Sequence, residues 1–144
     1  MFDQDTDARL SAWAQHRAQL DQSATALQDA CDFWRDAPFV PVNIDIDPYY
    51  QAKWPTPWEI IVSNRYDDFT KALMMAWTLK LTKQFAQSRI QIHTMLDNDR
   101  NRAYNIVMIE DQWAINYNDS GPVAQESLPK SFLLENLIEV STPR

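Results

Sequence analysis

The chain has 144 residues, 45% hydrophobic and 12% aromatic, with 20 Asp and Glu against 13 Lys and Arg for a formal charge of −7. This composition excludes a disordered chain, suits one domain with a sizeable core, and speaks against general nucleic-acid binding, which takes clustered Lys and Arg to neutralise phosphates. The one glycine, Gly121, excludes the glycine-rich loops that bring backbone N–H groups against a nucleotide, since average usage would give about ten. One cysteine excludes an internal disulfide and a multi-thiolate zinc site. With no leader and no apolar run near the ~18 residues of a membrane span, the expected protein is soluble, intracellular and free of the membrane.

Residues 6–35 contain neither Gly nor Pro, and every third and fourth position reads Leu10, Trp13, Arg17, Leu20, Ala24, Leu27, Cys31, Trp34. This heptad pattern, with Arg17 its polar intruder, predicts one long helix whose seam buries against another helix of the same chain or of a partner. Leu10, Trp13, Leu20, Leu27 and Trp34 are the candidate interaction surface, and the helix (residues 1–35) is set apart from a core domain over residues 36–144. Over residues 36–55, Pro38, Pro41, Pro48 and Pro55 alternate with apolar residues from Phe39 to Trp54. Proline excludes helix there, so an extended strap is expected to cross the domain and bury its aromatics.

Thr56-Pro57 is an N-cap followed by proline at the first helical position, which opens a short helix through Trp58 to Val62, ending near Asn64-Arg65. Asp67 and Asp68 then place carboxylates where a second helix exposes unpaired N–H groups. From Phe69 to Leu81 this helix is apolar on nearly every side and is expected to be the enclosed centre of the fold. The period then changes to two: Ile90–Thr94, Tyr104–Ile109 and Trp113–Tyr117 read as three antiparallel strands, joined by residues 97–101 and by a tight turn at Glu110-Asp111. From Leu128 the helical spacing of Phe132, Leu133, Leu134, Leu137 and Ile138 predicts a short closing helix. The fold class is α+β: a long N-terminal helix, a buried central helix on a three-stranded or larger antiparallel sheet, and a short C-terminal helix.

Candidate chemistry is sparse. A cysteine nucleophile needs an accessible, electropositive thiolate with an imidazole in reach, whereas Cys31 sits on the helix seam beside Asp29 and Asp32 and is expected to be structural. His16 and His93 have no ligand spacing to a second His or Cys. Asp97-Asn98-Asp99-Arg100-Asn101 opens like a calcium loop, but Arg102 stands where the turn needs glycine and Met108 where it needs a bidentate Glu. Asp45 and Asp47 share a face of the extended segment with no third ligand apparent. No catalytic group, metal site or cofactor is expected.

The order of Tyr66-Asp-Asp-Phe-Thr-Lys-Ala-Leu, then Ala103-Tyr-Asn-Ile-Val-Met-Ile, then Trp113-Ala-Ile-Asn-Tyr-Asn resembles the transglutaminase-like branch of the papain-like fold. In that family a cysteine starts the helix, a histidine starts one strand, and an Asp or Asn lies on the next. The resemblance places these sites at Tyr66 or Asp67, at Ala103 or Tyr104, and at Asn116 or Asn118; with nucleophile and base missing, it implies a scaffold without acyl transfer. A second resemblance, carried by Trp54-Pro-Thr-Pro-Trp-Glu-Ile-Ile, Tyr66-Asp-Asp-Phe-Thr-Lys-Ala-Leu and Leu79-Lys-Leu-Thr, is to small proteins of tailed bacteriophages. It implies a capsid, neck or tail component assembled in the host cytoplasm, whose partners are other virion proteins or further copies of itself. The alternative is an enzyme, a hydrolase using Cys31 or a metal-dependent one using Asp45, Asp47 and Asp97.

Overall fold

The computed structural model describes residues 1–143. Its elements run α1 (Thr6–Leu20), α2 (Ala26–Trp34), α3 (Pro57–Ser63), α4 (Asp68–Lys80), β1 (Ile90–Asp97), β2 (Arg102–Ile109), β3 (Trp113–Ile115), β4 (Val123–Ala124) and β5 (Leu133–Glu139). The strands form one antiparallel sheet in the order β4-β3-β2-β1-β5, and α4 packs on β1 and β2. Among the described residues, no helix is long and apolar enough to cross a membrane.

The N-terminal helix is present but ends at Leu20, and the heptad run of residues 6–35 does not continue as one helix. Ser23 and Thr25 cause the break with local hydrogen bonds that compete with the helical ladder: Ser23 Oγ accepts from the Thr25 N–H, and Thr25 Oγ1 donates to the Asp29 carboxylate. Asp21 holds the corner, accepting from the N–H groups of Lys83 and Gln84 at 3.2 and 2.9 Å. The bend turns both halves of the seam inward. Trp13, Leu20 and Trp34 are fully buried, and Trp13 Nε1 donates to Thr78 Oγ1 of α4 at 3.0 Å.

The start of α3 is as expected, a full capping box in which Thr56 and Glu59 satisfy each other's backbone N–H groups. Asn64 closes it in the left-handed region (φ 56°), and α4 follows with Asp67 as N-cap. Ten of the thirteen residues of α4, from Phe69 to Leu79, are buried, so the helix is the centre that its composition predicts. Glu110 and Asp111 both have φ of 55°, with Gln112 N–H donating to the Ile109 carbonyl, the geometry of a tight hairpin turn of type I′.

Two further expectations fail. The C-terminal segment is not a helix but the edge strand β5, paired with β1 through Ile92–Ile138 and Thr94–Asn136. The register then slips so that Met95 faces Leu134, leaving Glu135 as an extra residue. A bulge of this kind puts Leu134 and Leu137 on one face, and a spacing of three is what imitates a helix in the sequence. The strap does not bury its aromatics either: Ile46 and Trp54 are inside, but Phe39, Val42, Ile44, Tyr49 and Tyr50 are exposed, Ile44 by 86%. It is held by polar bonds instead. Val40 N–H donates to the Tyr66 carbonyl, Tyr66 N–H to the Pro38 carbonyl, and Asn43 bonds to Asp67 and Arg65, so its apolar side chains are not needed to fix its path.

Candidate functional site

The capped start of α4 faces the ends of β2 and β3, and three side chains meet there. Asp68, the first residue of the helix, accepts through Oδ2 from the backbone N–H and the Nδ2 of Asn105 at 3.1 and 3.0 Å. Its Oδ1 lies 3.4 Å from the donating Nδ2 of Asn116. Asn116, held at φ 64°, also donates to the Asn105 carbonyl at 2.9 Å, while Thr94 Oγ1 donates to Asn105 Oδ1. The amide orientations are therefore fixed by the network. Every polar group of Asn105 has a partner, and both oxygens of Asp68 are engaged.

Asp68 and Asn116 form one wall of a polar cleft of about 360 Å³, lined also by Lys71, Arg100, Arg102, Tyr104, Tyr117, Asn118 and Asp119. Lys71 approaches Asp119 at 4.0 Å, and the Arg102 guanidinium lies over the Tyr104 ring at 4.5 Å. Cys31 stands behind the same region in α2, near the Asn116 backbone. Burial, assisted by Asp32, pushes its thiol up to about 11, the opposite of an activated nucleophile.

No family model matches the chain, and no curated protein matches it. Among solved structures, calcium-bound LapG of Legionella pneumophila resembles it with a TM-score of 0.67 at 19% identity, over 99% of this chain and 83% of that one. The fold is transglutaminase-like. At that identity the likeness speaks for the fold alone.

On this transglutaminase-like frame, the positions assigned from sequence divide. Asn116 is in the cluster. Tyr66 lies before the helix and is buried among Phe2 and Trp34; burial raises its hydroxyl strongly, and the hydroxyl has no hydrogen-bond partner among the described residues. Asp67 is the cap, accepting from the N–H and Oγ1 of Thr70 at 2.8 and 2.6 Å. Tyr104 points to the opposite face of the sheet and stacks on Phe132, and Asn118 serves a turn by accepting from the Ser120 N–H. The other two members of the cluster, Asp68 and Asn105, each stand next to a position that the resemblance names, Asp67 and Tyr104. The signal was available in part, because naming Asp67 as the cap makes Asp68 the first helical residue.

The candidate interaction surface needs correction. Trp13, Leu20 and Trp34 belong to the chain's own core, and Leu10 and Leu27 are half-buried against it. They are not free for a partner, because the bend at residues 21–25 folds the seam onto α4 and α3. The residues of the alternative metal reading also stay apart. Asp45 pairs with Arg65 at 3.0 Å, Asp47 receives the Tyr49 N–H, and Asp97 lies in the β1–β2 hairpin, where it receives the Asp99 N–H. Among the described residues no three His, Cys, Asp or Glu converge. His16 stacks flat on Phe33 at 3.8 Å, and His93 shares a hydrogen bond with Gln91; burial lowers both.

Proposed function

We propose that this chain is a non-catalytic structural or interaction protein on a transglutaminase-like scaffold, a bacteriophage virion component of the capsid, neck or tail. The observation that carries the reading is the Asp68–Asn105–Asn116 cluster. Thiol-based acyl transfer needs a nucleophile at the helix start and an imidazole on the neighbouring strand to take its proton. Here the helix start carries a carboxylate bound by two amides, and its hydrogen bonds join α4 to the sheet. The raised Cys31 thiol supports the same reading against a hydrolase. The phage assignment draws on the likeness of Trp54-Pro-Thr-Pro-Trp-Glu-Ile-Ile and Tyr66-Asp-Asp-Phe-Thr-Lys-Ala-Leu to phage proteins, and an attachment role on the −7 charge and the exposed apolar residues.

Particles purified from infection by the encoding virus are expected to contain the chain in a fixed ratio to the main shell protein, read by quantitative mass spectrometry. Asp68→Ala and Cys31→Ala are expected to enter particles like the wild type. Absence from particles, or a peptidase or transamidase activity of the purified protein that either substitution abolishes, would overturn the proposal.

A further inference from the structure

The two edges of the sheet differ. One is β4, only two residues long, and short edge strands offer little template for pairing. The other is β5, seven residues long, with β1 its only partner strand among the described residues. Its sequence, Leu-Leu-Glu-Asn-Leu-Ile-Glu, contains no proline and no lysine, the residues that usually blunt an edge. Leu133, Leu134 and Leu137 are 54%, 51% and 43% exposed along it. The backbone phase is set by the Val140 N–H, which donates to the Ile90 carbonyl at 2.9 Å. By antiparallel alternation, Ile138 and Asn136 turn their hydrogen-bonding groups toward β1, and Leu137 and Glu139 turn theirs outward. The bulge at Glu135 sets Leu134 and Leu137 on one face, opposite α4, so the free hydrogen-bonding edge and an apolar strip lie side by side.

Charge selects the occupant. Glu135 and Glu139 are exposed on β5; Glu139 Oε1 accepts from Gln91 Nε2 and lies 4.0 Å from Arg89, which is shared with Asp111 at 2.8 Å, so the second carboxylate oxygen of Glu139 and both of Glu135 are left for a partner's cations. A second copy is disfavoured, because antiparallel self-pairing centred on Leu137 sets Glu135 against Glu139 twice, and centring on Glu139 sets that residue against itself. We infer that the outer edge of β5 receives an extended segment of a partner protein whose residues on one strand face, at every second position, are in turn basic and apolar, and which adds to the sheet as a further strand. The partner's main chain bonds to the outward groups of Leu137 and Glu139. Its apolar side chains cover Leu134 and Leu137, and its Lys or Arg pair with Glu135 and Glu139. This identifies the attachment surface of the interaction protein proposed above and rests on that reading.

The probe is a short synthetic peptide in which lysine and valine take turns at every second position with threonine between them (Lys-Thr-Val-Thr-Lys), added to the full chain, with amide hydrogen exchange read residue by residue. Slowed exchange at Leu137 and Glu139, with Asn136 and Ile138 unchanged, is expected, together with binding that weakens as salt rises. The same peptide with glutamate in place of lysine, and the lysine peptide N-methylated at alternate residues, are expected to bind about tenfold or more weakly. Leu137→Pro removes an N–H that the chain itself does not use, so the sheet keeps its ladder while added strands are blocked. Equal binding of the N-methylated peptide overturns the proposal even if that variant does not fold. Slowed exchange at Leu137 and Glu139 that rises with protein concentration in the absence of peptide also overturns it, in favour of a second copy. Co-sedimentation of folded Leu137→Pro with particles at wild-type level removes the edge and leaves the virion reading. Absence of the wild type from particles, with peptide protection intact, removes the virion reading and leaves the edge.

Discussion

The two faces of the sheet are built from the same strands and are covered to different depths. On one, Ile90, Ile92, Val107, Ile109 and Ile115 meet α4, with α1, α2 and α3 closing around it in a single cluster that includes Trp13, Trp34 and Trp77. On the other, Tyr104, Ile106, Met108 and Ala114 are covered by Leu128 and Phe132 from the irregular segment before β5. That cover is centred on the β2–β3 half and reaches β1 only at Met95. The β1–β5 half keeps His93 and Met95 half-buried and Leu134 and Leu137 exposed. A strand that is apolar on both faces therefore reports two layers of cover and does not say how far each extends.

The largest effect separating the faces is expected from a charge in the deeper layer. Met75→Asp leaves an unpaired carboxylate in the α4 core and is expected to cost more than about 4 kcal/mol, enough to abolish cooperative thermal unfolding. A soluble, cooperatively melting Met75→Asp protein would break the comparison. On the shallower face, Phe132→Ala is expected to cost about 3 kcal/mol, at the low end for its class because the ring is not fully enclosed and neighbours can settle on Tyr104. Its urea midpoint should fall with an unchanged m value.

A pH effect belongs to the deeper layer as well. Burial against Phe33 holds His16 at about 4 instead of 6.5, with Asp29 opposing and Arg17 assisting the shift. The unfolded chain therefore binds the proton first. Stability from this group is complete above pH 6.5 and is lost as pH falls from there through about 4, by at most about 3.4 kcal/mol at ~1.36 kcal/mol per unit. Unfolding curves between pH 7 and 4 should show that slope, and His16→Gln should flatten it. His93 is lowered in the same sense, so a residual slope is expected. The smallest effect sharpens the contrast: Leu134→Lys on the uncovered half is expected to move stability by less than about 0.5 kcal/mol, and a larger loss would mean that this half is covered after all.

Legibility in the sequence followed how local the determining interactions are. The capping box at Thr56 and Glu59, the stop at Asn64, the cap at Asp67, the buried character of α4 and the turn at Glu110-Asp111 all depend on residues within a few positions of each other, and each was readable. Of the candidate cluster, the sequence marks Asp68 through the start of its helix and Asn116 through the resemblance. It does not mark Asn105, because β2 is apolar on both faces and its pattern does not say which one meets α4. Cys31 was rightly read as a buried thiol.

What only the tertiary structure decided involves a distant partner. The bend at residues 21–25 is anchored by the backbone of Lys83 and Gln84, and it turns a seam fit for a partner helix into part of the chain's own core. The last segment is a strand because β1 offers it a ladder, and the bulge at Glu135 disguises its period as helical. The strap leaves Phe39, Val42, Ile44, Tyr49 and Tyr50 in solvent because hydrogen bonds to Tyr66, Asp67 and Arg65 already hold it. Hydrophobic spacing marks which side chains favour burial, but which surface is present to bury them is a property of the assembled fold.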